Sequence, residues 1–344
     1  MSKKVDLTNK RIIISRTDSI GDVVLTLPMC YWIKANYTSA TVIFLGRNYT
    51  KAILEQCAAI DEICAWDEIE KLPVQARHQA LKELNADIII HVFPTKELAK
   101  KAKKAEIPVR IGTSHRAYHL LTCTHRVNFT RKNALEHESQ LNFHLLKPMG
   151  LKELPSMQEV LELMKSFTVS AEKTLPSDIE KYLQDKAGKY AVLHPKSKGS
   201  ALEWPLEKYI ALAKSLVEQE YTVFFTGTEA EGKSFRSHLP KEAGFVDLSG
   251  KLSLEELISF ISRVDVLVAC STGPLHIAAI CGVHAVGLYM DERPIHPGRW
   301  KPIGKNVSVL AQKCICEKPK DEFRHLSISV EKVLGKIGDK STVL

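Results

Sequence analysis

The stretch of residues 270–276 (CSTGPLH) has the residue types and spacing of a phosphate-binding turn. It follows residues 264–269, whose hydrophobic pattern, with one acid at Asp265, is typical of a strand buried on both faces of a parallel sheet. Ligand-binding residues belong just beyond the carboxyl end of such a strand. Here Thr272 supplies a hydroxyl group, and Gly273 supplies a backbone that a ligand can approach closely.

A helix should begin directly after this turn. Pro274 suits the first helical turn. A helix over residues 275–281 would direct its free N–H groups and the positive end of its dipole at a diphosphate. His276 could donate one more hydrogen bond from the first turn. The alternative is an ordinary strand-to-helix turn that Ser271 or Thr272 caps.

A second turn of the same kind lies near the amino terminus. Residues 11–15 (RIIIS) predict a short β-branched strand, and a loop with Asp18 and Gly21 follows it. A helix is then predicted from Asp22 to about Lys34. The loop places a carboxylate at a helix start, where it should stay ionised near neutral pH.

Strands alternate with helices along the chain, which predicts βαβ units and parallel sheets. The pattern is interrupted over residues 133–165, and it restarts in the second half. We therefore predict an α/β protein with two doubly wound domains, residues 1–165 and 175–325. A C-terminal helix within residues 326–344 is expected to pack back on the first domain. Ligands are expected in a cleft between the carboxyl edges of the two sheets.

The composition fits two domains without a membrane span. At 344 residues, with 44% hydrophobic and 26% charged content, both domains can bury a core. No run of about 18 uncharged apolar residues occurs, and the polar, basic start is unlike a signal peptide. We expect a soluble, cytoplasmic protein. The eight cysteines suit neither a disulfide framework nor a zinc site, and the one close pair is Cys314 and Cys316.

The net charge of +8 indicates an anionic partner. Many basic residues gather in one stretch: Lys96, Lys100, Lys101, Lys103, Lys104, Arg110, His115, Arg116, His119, Arg126, Arg131 and Lys132. They form either a solvated face or a surface for the phosphate groups of a membrane-borne substrate. Nucleic acid is not the expected partner, because zinc-finger and RNA-recognition signatures and interleaved aromatic residues are missing.

Two stretches carry a family resemblance. Residues 17–28 (TDSIGDVVLTLP) resemble the N-terminal signature of the heptosyltransferases, glycosyltransferase family 9, and residues 270–279 (CSTGPLHIAA) resemble their second signature. Shorter stretches between them follow the family's order: 110–112 (RIG), 136–138 (EHE), 194–195 (HP) and 204–205 (WP). The resemblance implies the GT-B fold, in which two Rossmann-like domains face a central cleft.

The resemblance also implies an activity. Family members transfer a sugar with inversion, typically heptose from ADP-heptose, to the inner core of lipopolysaccharide, and they need no catalytic metal. The chain has no Asp-x-Asp pair. We therefore expect a nucleotide-sugar donor, no cofactor and no metal. The expected acceptor is a phosphorylated glycolipid, Kdo-lipid A or a heptosyl acceptor, met peripherally at the inner face of the cytoplasmic membrane. Backbone amides and basic groups must then stabilise the leaving diphosphate.

The matched positions imply roles for residues of the first loop. Asp22 matches the aspartate of the family's Gly-Asp signature and is expected to be the general base for the acceptor hydroxyl. It could instead only cap the helix, and Asp18 is the second candidate for the base. Four residues are assigned to acceptor binding: Ser19, Gly21, His115 and Arg116.

Six residues of the second signature are assigned to the donor diphosphate: Ser271, Thr272, Gly273, Pro274, Leu275 and His276. Lys196 and Lys198 follow a predicted strand and could also reach it, unless they belong to a solvated loop. Glu231 is assigned to the ribose hydroxyls, with an exposed helix face as the alternative. The chain departs from the family twice, with Ser271 for a frequent Asp and Leu202 for a frequent Lys. Either a nearby lysine substitutes, or the donor differs from ADP-heptose.

Other functions are compatible with the same pattern. A transferase of this fold could use another nucleotide sugar, and a homologue could bind the nucleotide sugar without catalysis. A nicotinamide-dependent oxidoreductase would need Gly-x-Gly-x-x-Gly after the first strand, whereas residues 16–22 contain one glycine.

Overall fold

The computed structural model divides the chain between Thr168 and Val169 into two units. The structure describes residues 4–133, 135–169, 175–185, 187–313 and 325–338. The division falls inside the segment that separates the two predicted domains. Cys314 and Cys316 lie outside the described residues.

Six parallel strands form the sheet of the first unit. They are β1 (Arg11–Ser15), β2 (Thr41–Gly46), β3 (Glu62–Ala65), β4 (Ile88–His91), β5 (Val109–Thr113) and β6 (His125–Val127). Their order is β3-β2-β1-β4-β5-β6, which is the order of a doubly wound Rossmann sheet. The isoleucines of β1 and β4 are buried, so the central strands lie inside the core.

Nine helices connect these strands or follow them within the described residues of the first unit. They are α1 (Ile20–Val24), α2 (Leu27–Asn36), α3 (Lys51–Leu54), α4 (Trp66–Lys71), α5 (Arg77–Glu83), α6 (Lys96–Lys104), α7 (His119–Thr122), α8 (Glu138–Phe143) and α9 (Met157–Leu163). The prediction of one continuous helix after β1 is wrong, because α1 and α2 are separate. Pro28 at the start of α2 has no N–H group to donate to the preceding turn.

The second unit contains another sheet of six parallel strands. They are β7 (Lys189–His194), β8 (Tyr221–Phe225), β9 (Phe245–Asp247), β10 (Val266–Cys270), β11 (His284–Met290) and β12 (Val307–Gln312). The order is β12-β11-β10-β7-β8-β9, which repeats that of the first sheet. The strand order reverses between β1 and β4 in one sheet and between β7 and β10 in the other. The prediction of two doubly wound α/β domains is confirmed.

The described helices of the second unit complete its layers. They are α10 (Ser177–Glu180), α11 (Leu206–Glu218), α12 (Glu229–Phe235), α13 (Leu254–Ile261), α14 (Gly273–Ile280), α15 (Pro297–Trp300) and α16 (Val330–Gly338). None of the helices in the described parts of the chain combines the length and apolarity needed to cross a bilayer.

The C-terminal helix α16 packs on elements of the second unit. It contacts α11, β11 and β12, and Val333 and Ile337 are buried in the core of that unit. The segment before it is anchored at the carbonyl oxygen of Ile328, which accepts hydrogen bonds from Trp204 Nε1 (2.8 Å) and Lys208 Nζ (3.0 Å). The prediction had placed this helix on the first domain. The structure places it on the second, because its apolar face completes the core beside α11.

Replacement of Val333 by alanine tests this placement. The side chain is fully buried, so the loss of two methyl groups should lower the free energy of unfolding by about 2 kcal/mol. Urea denaturation of the full chain, monitored by circular dichroism, measures the change in the free energy of unfolding. The matched control is Lys332→Ala on the exposed face of the same helix, and equal stability of the two variants would contradict the placement.

Candidate functional site

The loop after β1 places Asp22 in the first turn of α1. Ser19 occupies the cap position of this helix, and Asp22 lies three residues later. The Asp22 carboxylate accepts hydrogen bonds from the Ser19 hydroxyl and from the Arg16 guanidinium. Ser19 holds the cap position but makes no side-chain capping hydrogen bond, so Asp22 lies in the first turn of the helix and not at its cap.

Arg16 is a buried cation at the centre of this loop, with 3% of its surface exposed. Its Nε donates to Asp18 Oδ1 at 2.7 Å, and its Nη1 donates to Glu138 Oε1 at 3.1 Å. Burial alone would lower the pKa of Arg16, but the charges of Asp22, Asp18 and Glu138 reverse this and raise it. One guanidinium group is therefore shared by three carboxylates.

Two residues of α8 extend the network into the interior of the first unit. Glu138 and Asn142 are fully buried. Arg131 Nε donates to Glu138 Oε1 at 2.8 Å, and Arg131 Nη2 donates to Asn142 Oδ1 at 2.7 Å. Asn142 Nδ2 in turn donates to the Leu25 carbonyl at 3.1 Å. With every group ionised, three carboxylates and two guanidinium groups leave one excess negative charge.

Sequence reasoning missed Arg16 and the role of Glu138. The available signal was an arginine placed directly after an apolar strand and two acids in the following six residues. Arg131 was counted in the basic stretch, but the structure turns it toward Glu138. His119 of the same stretch is fully buried, and Arg110 Nε donates to the Thr122 carbonyl at 2.6 Å. The prediction that Arg131, His119 and Arg110 belong to an exposed surface for phosphate groups is therefore wrong.

Asp18 is a second carboxylate within reach of Arg16. Burial raises the pKa of Asp18 to about 6, although the charge of Arg16 opposes the shift and that of Asp22 adds to it. A carboxylate with this pKa can accept a proton near neutral pH. The geometry thus offers two candidate bases, Asp22 and Asp18, on one guanidinium group.

The four residues assigned to the acceptor lie in two segments at the carboxyl edge of the first sheet. Ser19 holds the cap position of α1 after β1 and Gly21 lies in the first turn of α1, whereas His115 and Arg116 belong to the turn after β5. Gly21 is buried and Ser19 contacts Asp22. His115 Nε2 lies 2.9 Å from Asn128 Oδ1, and Arg116 is exposed. Of the four residues, Arg116 presents a free charge to solvent.

A buried histidine ends β4 beside this edge. His91 pairs with Ser15 of β1 and is 1% exposed, and neither ring nitrogen has a hydrogen-bond partner among the described residues. Its ring stacks on His119, with centroids 5.7 Å apart. Burial lowers the pKa of His91 to about 3, and the charges of His119 and Arg110 add to this shift. His91 is therefore neutral at physiological pH.

In the second unit, β10 ends at Cys270 and α14 begins at Gly273, two residues earlier than predicted. Thr272 occupies the cap position, yet its buried Oγ1 makes no hydrogen bond within the described part of the chain. Thr228 and Ser253, at the starts of α12 and α13, do cap their helices. The Thr272 hydroxyl is thus available to a ligand beside the N–H groups of the first helical turn.

The other residues of this signature are largely buried. Pro274, Leu275 and His276 face the interior, so Leu275 can reach a ligand only through its backbone. The Ser271 carbonyl accepts a hydrogen bond from Ser200 Oγ at 3.5 Å. This bond joins the loop after β10 to the loop after β7, at the point where the strand order of the second sheet reverses.

The loop after β7 carries two lysines in different environments. Lys196 Nζ lies 2.9 Å from Glu203 Oε2, whereas Lys198 is exposed and has no ion pair among the described residues. Leu202 packs against the core of the unit, so this position offers no charge. Lys198 is therefore the basic group of this loop that can meet an anion.

Glu231 serves its own helix in the structure. Its Oε2 accepts hydrogen bonds from the Thr228 backbone N–H at 2.7 Å and from the Thr228 hydroxyl at 2.8 Å, which closes a capping box. His194, which ends β7, was not assigned from the sequence. Its Nδ1 lies 3.0 Å from Thr226 Oγ1, and burial lowers the pKa of His194 to about 4 against the opposing charges of Glu231 and Glu203.

A family model described as glycosyltransferase family 9 (heptosyltransferase) matches residues 74–326 of the chain. A Haemophilus influenzae protein named "Putative glycosyltransferase" is 25% identical over 303 residues, which cover 86% of this chain and 86% of that protein. The match extends over both units.

Two solved structures share the fold. E. coli ADP-heptose lps heptosyltransferase II has a TM-score of 0.72 at 18% identity, over 95% of this chain and 97% of that one. E. coli heptosyltransferase WaaC with ADP has a TM-score of 0.70 at 20% identity, over 95% of this chain and 98% of that one. These likenesses confirm the predicted fold of two Rossmann-like domains.

The buried His91 predicts a loss of stability in acid. The pKa of an unfolded histidine is about 6.5, whereas that of folded His91 is about 3, so only the unfolded state binds this proton between these values. The contribution of neutral His91 to the free energy of unfolding is complete above pH 6.5 and is lost as the pH falls below that value. As the pH falls from 7.5 to 5, protonation of His91 in the unfolded state should lower the free energy of unfolding by roughly 1–2 kcal/mol.

Urea denaturation at several pH values measures this slope. His119, His194 and His284 also have lowered pKa values and add to the total. The comparison is therefore between wild type and His91→Leu, whose slope should be shallower. His238→Leu, at an exposed position, should keep the wild-type slope. Equal slopes in wild type and His91→Leu would refute a neutral buried His91.

Proposed function

The chain belongs to glycosyltransferase family 9, and from that premise we propose that it transfers heptose from ADP-heptose to the inner core of lipopolysaccharide, with inversion at the anomeric carbon. One observation carries the proposal. In each sheet, the loop that bears a family signature leaves the sheet where the strand order reverses, after β1 and after β10. Ligands of doubly wound sheets bind at this point.

The second unit would hold the donor. The first turn of α14 offers backbone N–H groups, and the Thr272 hydroxyl has no partner within the described residues. Lys198 supplies a positive charge from the neighbouring loop. These groups can stabilise the charge that develops on the diphosphate as the bond to the sugar breaks. In this proposal they take the part that a metal ion plays in other sugar transferases.

The first unit would supply the base. The Asp22 carboxylate removes the proton from the acceptor hydroxyl while that oxygen attacks the anomeric carbon. The bond between this carbon and the diphosphate oxygen breaks on the opposite side, and ADP leaves with the bonding electrons. Arg16 and Ser19 fix the orientation of the carboxylate. Asp22 is preferred to Asp18 because it occupies the family's aspartate position.

The donor and acceptor are named by analogy with relatives. Of the two E. coli structures, one is an ADP-heptose lps heptosyltransferase and the other is a heptosyltransferase with ADP. The acceptor would be a phosphorylated glycolipid, Kdo-lipid A or a heptosyl acceptor. The enzyme would meet it from the cytoplasm as a peripheral membrane protein. Ser271 and Leu202 depart from the family pattern, so another nucleotide sugar on the same scaffold is the alternative donor.

Replacement of Asp22 by asparagine should abolish most turnover. The amide keeps the shape of the side chain but cannot accept the proton, so kcat should fall by about 10²-fold or more. The affinity for ADP should be nearly unchanged, because the nucleotide binds to the second unit in this proposal. Transfer assays with ADP-heptose and isothermal titration with ADP measure the two effects.

Asp18→Asn is the matched control for this variant. It removes a carboxylate from the same guanidinium group and should retain most of the activity. A large loss in Asp18→Asn together with normal turnover in Asp22→Asn would transfer the role of the base to Asp18. Normal turnover in both variants would reject a base in this loop.

A thermal-shift titration with ADP, UDP, GDP, CDP and NAD tests the donor. Binding to the folded state raises the melting temperature by mass action. ADP should give the largest shift, and Thr272→Val should weaken ADP binding by about tenfold, because it removes one hydrogen bond. Thr272→Ser keeps the hydroxyl and should bind like wild type. A selective UDP or GDP shift would change the sugar donor, and a shift with NAD alone would overturn the proposal.

A further inference from the structure

Two exposed leucines lie next to the lysine-rich helix of the first unit. Leu120 and Leu121 of α7 are 61% and 76% exposed, and α7 packs against α6. We define the α6–α7 surface by seven of the exposed residues of these elements and of the turn before α7: Lys96, Lys100, Lys103, Lys104, Arg116, Leu120 and Leu121.

The turn that carries the leucines is anchored from below. His119 is fully buried, and its Nδ1 lies 2.8 Å from the Thr113 carbonyl oxygen. Gly112 makes room for this ring, because a Cβ atom there would come within 2.5 Å of His119 Cε1. Arg110 Nε donates to the Thr122 carbonyl at 2.6 Å. The anchored turn directs Leu120 and Leu121 away from the core.

The lysines of α6 largely lack compensating acids. Successive residues of a helix are rotated by about 100°. Glu97 pairs with Arg77 of α5, and Lys101 donates to the Val74 carbonyl in the segment before α5. Lys96 and Lys103 lie on the opposite flank of the helix, and Lys100 and Lys104 lie between the two flanks. These lysines form no ion pair among the described residues, so α6, which packs against α7, presents unpaired positive charge.

We propose that the α6–α7 surface docks on an anionic lipid bilayer, with Leu120 and Leu121 inserted among the lipid chains and the lysines on the headgroups. An adjacent apolar pair and an uncompensated cluster of cations are the two signals that together give peripheral binding. The choice of a membrane as occupant rests on the proposed function, which needs a membrane-borne acceptor. Arg116 joins this surface to the carboxyl end of β5, so docking brings the acceptor to the sheet edge.

Vesicle co-sedimentation of the full chain tests the proposal without any sugar substrate. The wild type should bind vesicles that contain phosphatidylglycerol and should not bind phosphatidylcholine alone. The double variant Leu120→Ser/Leu121→Ser should lower the partition coefficient by about tenfold or more, because two exposed side chains lose their transfer into lipid. Ile295→Ser, an exposed aliphatic residue of the second unit, is the matched control and should bind like wild type.

Charge reversal tests the lysines separately. The triple variant Lys100→Glu/Lys103→Glu/Lys104→Glu should lose the preference for anionic vesicles. The control Lys214→Glu/Lys241→Glu/Lys251→Glu makes the same change in net charge at exposed positions of the second unit and should keep that preference. Wild-type binding should also weaken at high salt, since exposed charges are screened.

Three results would overturn the proposal. The wild type could ignore anionic vesicles, the leucine variant could bind them as the wild type does, or gel filtration could show a dimer that the leucine variant dissociates. The last result would make a second copy the occupant. Transfer to a deacylated, water-soluble acceptor separates this inference from the proposed function. The leucine variant should keep that activity, whereas failure of the wild type with the soluble acceptor would count against the function alone.

Discussion

The buried guanidinium group of Arg16 is the interaction on which the site of the first unit depends. It joins Asp22, in the first turn of α1, to Glu138 of α8, which lies 122 residues after Arg16 in the chain. Removing one partner of a buried ion pair costs about 3–5 kcal/mol, because the other charge is left uncompensated. The orientation of Asp22 and the packing of α8 are therefore parts of one structure.

The charge balance of this network suits general base chemistry. Three carboxylates share two guanidinium groups, so one negative charge is in excess when every group is ionised. Burial raises the pKa of Asp18, and the charge of Asp22 adds to this shift while the charge of Arg16 opposes it. A network with one surplus carboxylate can take up one proton without leaving a buried cation unpaired. The base of the proposed transfer reaction needs this capacity.

The cap residues of three helices in the second unit differ in whether their side chains make a capping hydrogen bond. Thr228 and Ser253 close capping boxes on α12 and α13, whereas Thr272 leaves its hydroxyl unused within the described residues. A cap of this type contributes about 0.5–2 kcal/mol to stability. This contribution is missing at the start of α14. There the loops after β7 and β10, between which the strand order reverses, are joined through Ser200. The missing capping hydrogen bond therefore falls at the position that the family resemblance assigns to a ligand.

The sequence by itself determined the alternation of strands and helices, the two parallel sheets and the loops that bear the family signatures. These features depend on local patterns, since apolar runs, turn residues and helix starts are set by neighbouring residues. Tertiary structure decided which charges are buried and what they contact. Arg131 and His119 read as surface cations, yet one contacts Glu138 and the other packs over Gly112. The C-terminal helix joined the second unit through Trp204 and Ile328, which are 124 residues apart. Residue type specifies a charge or an apolar surface, but its partner comes from distant parts of the chain that only folding brings together.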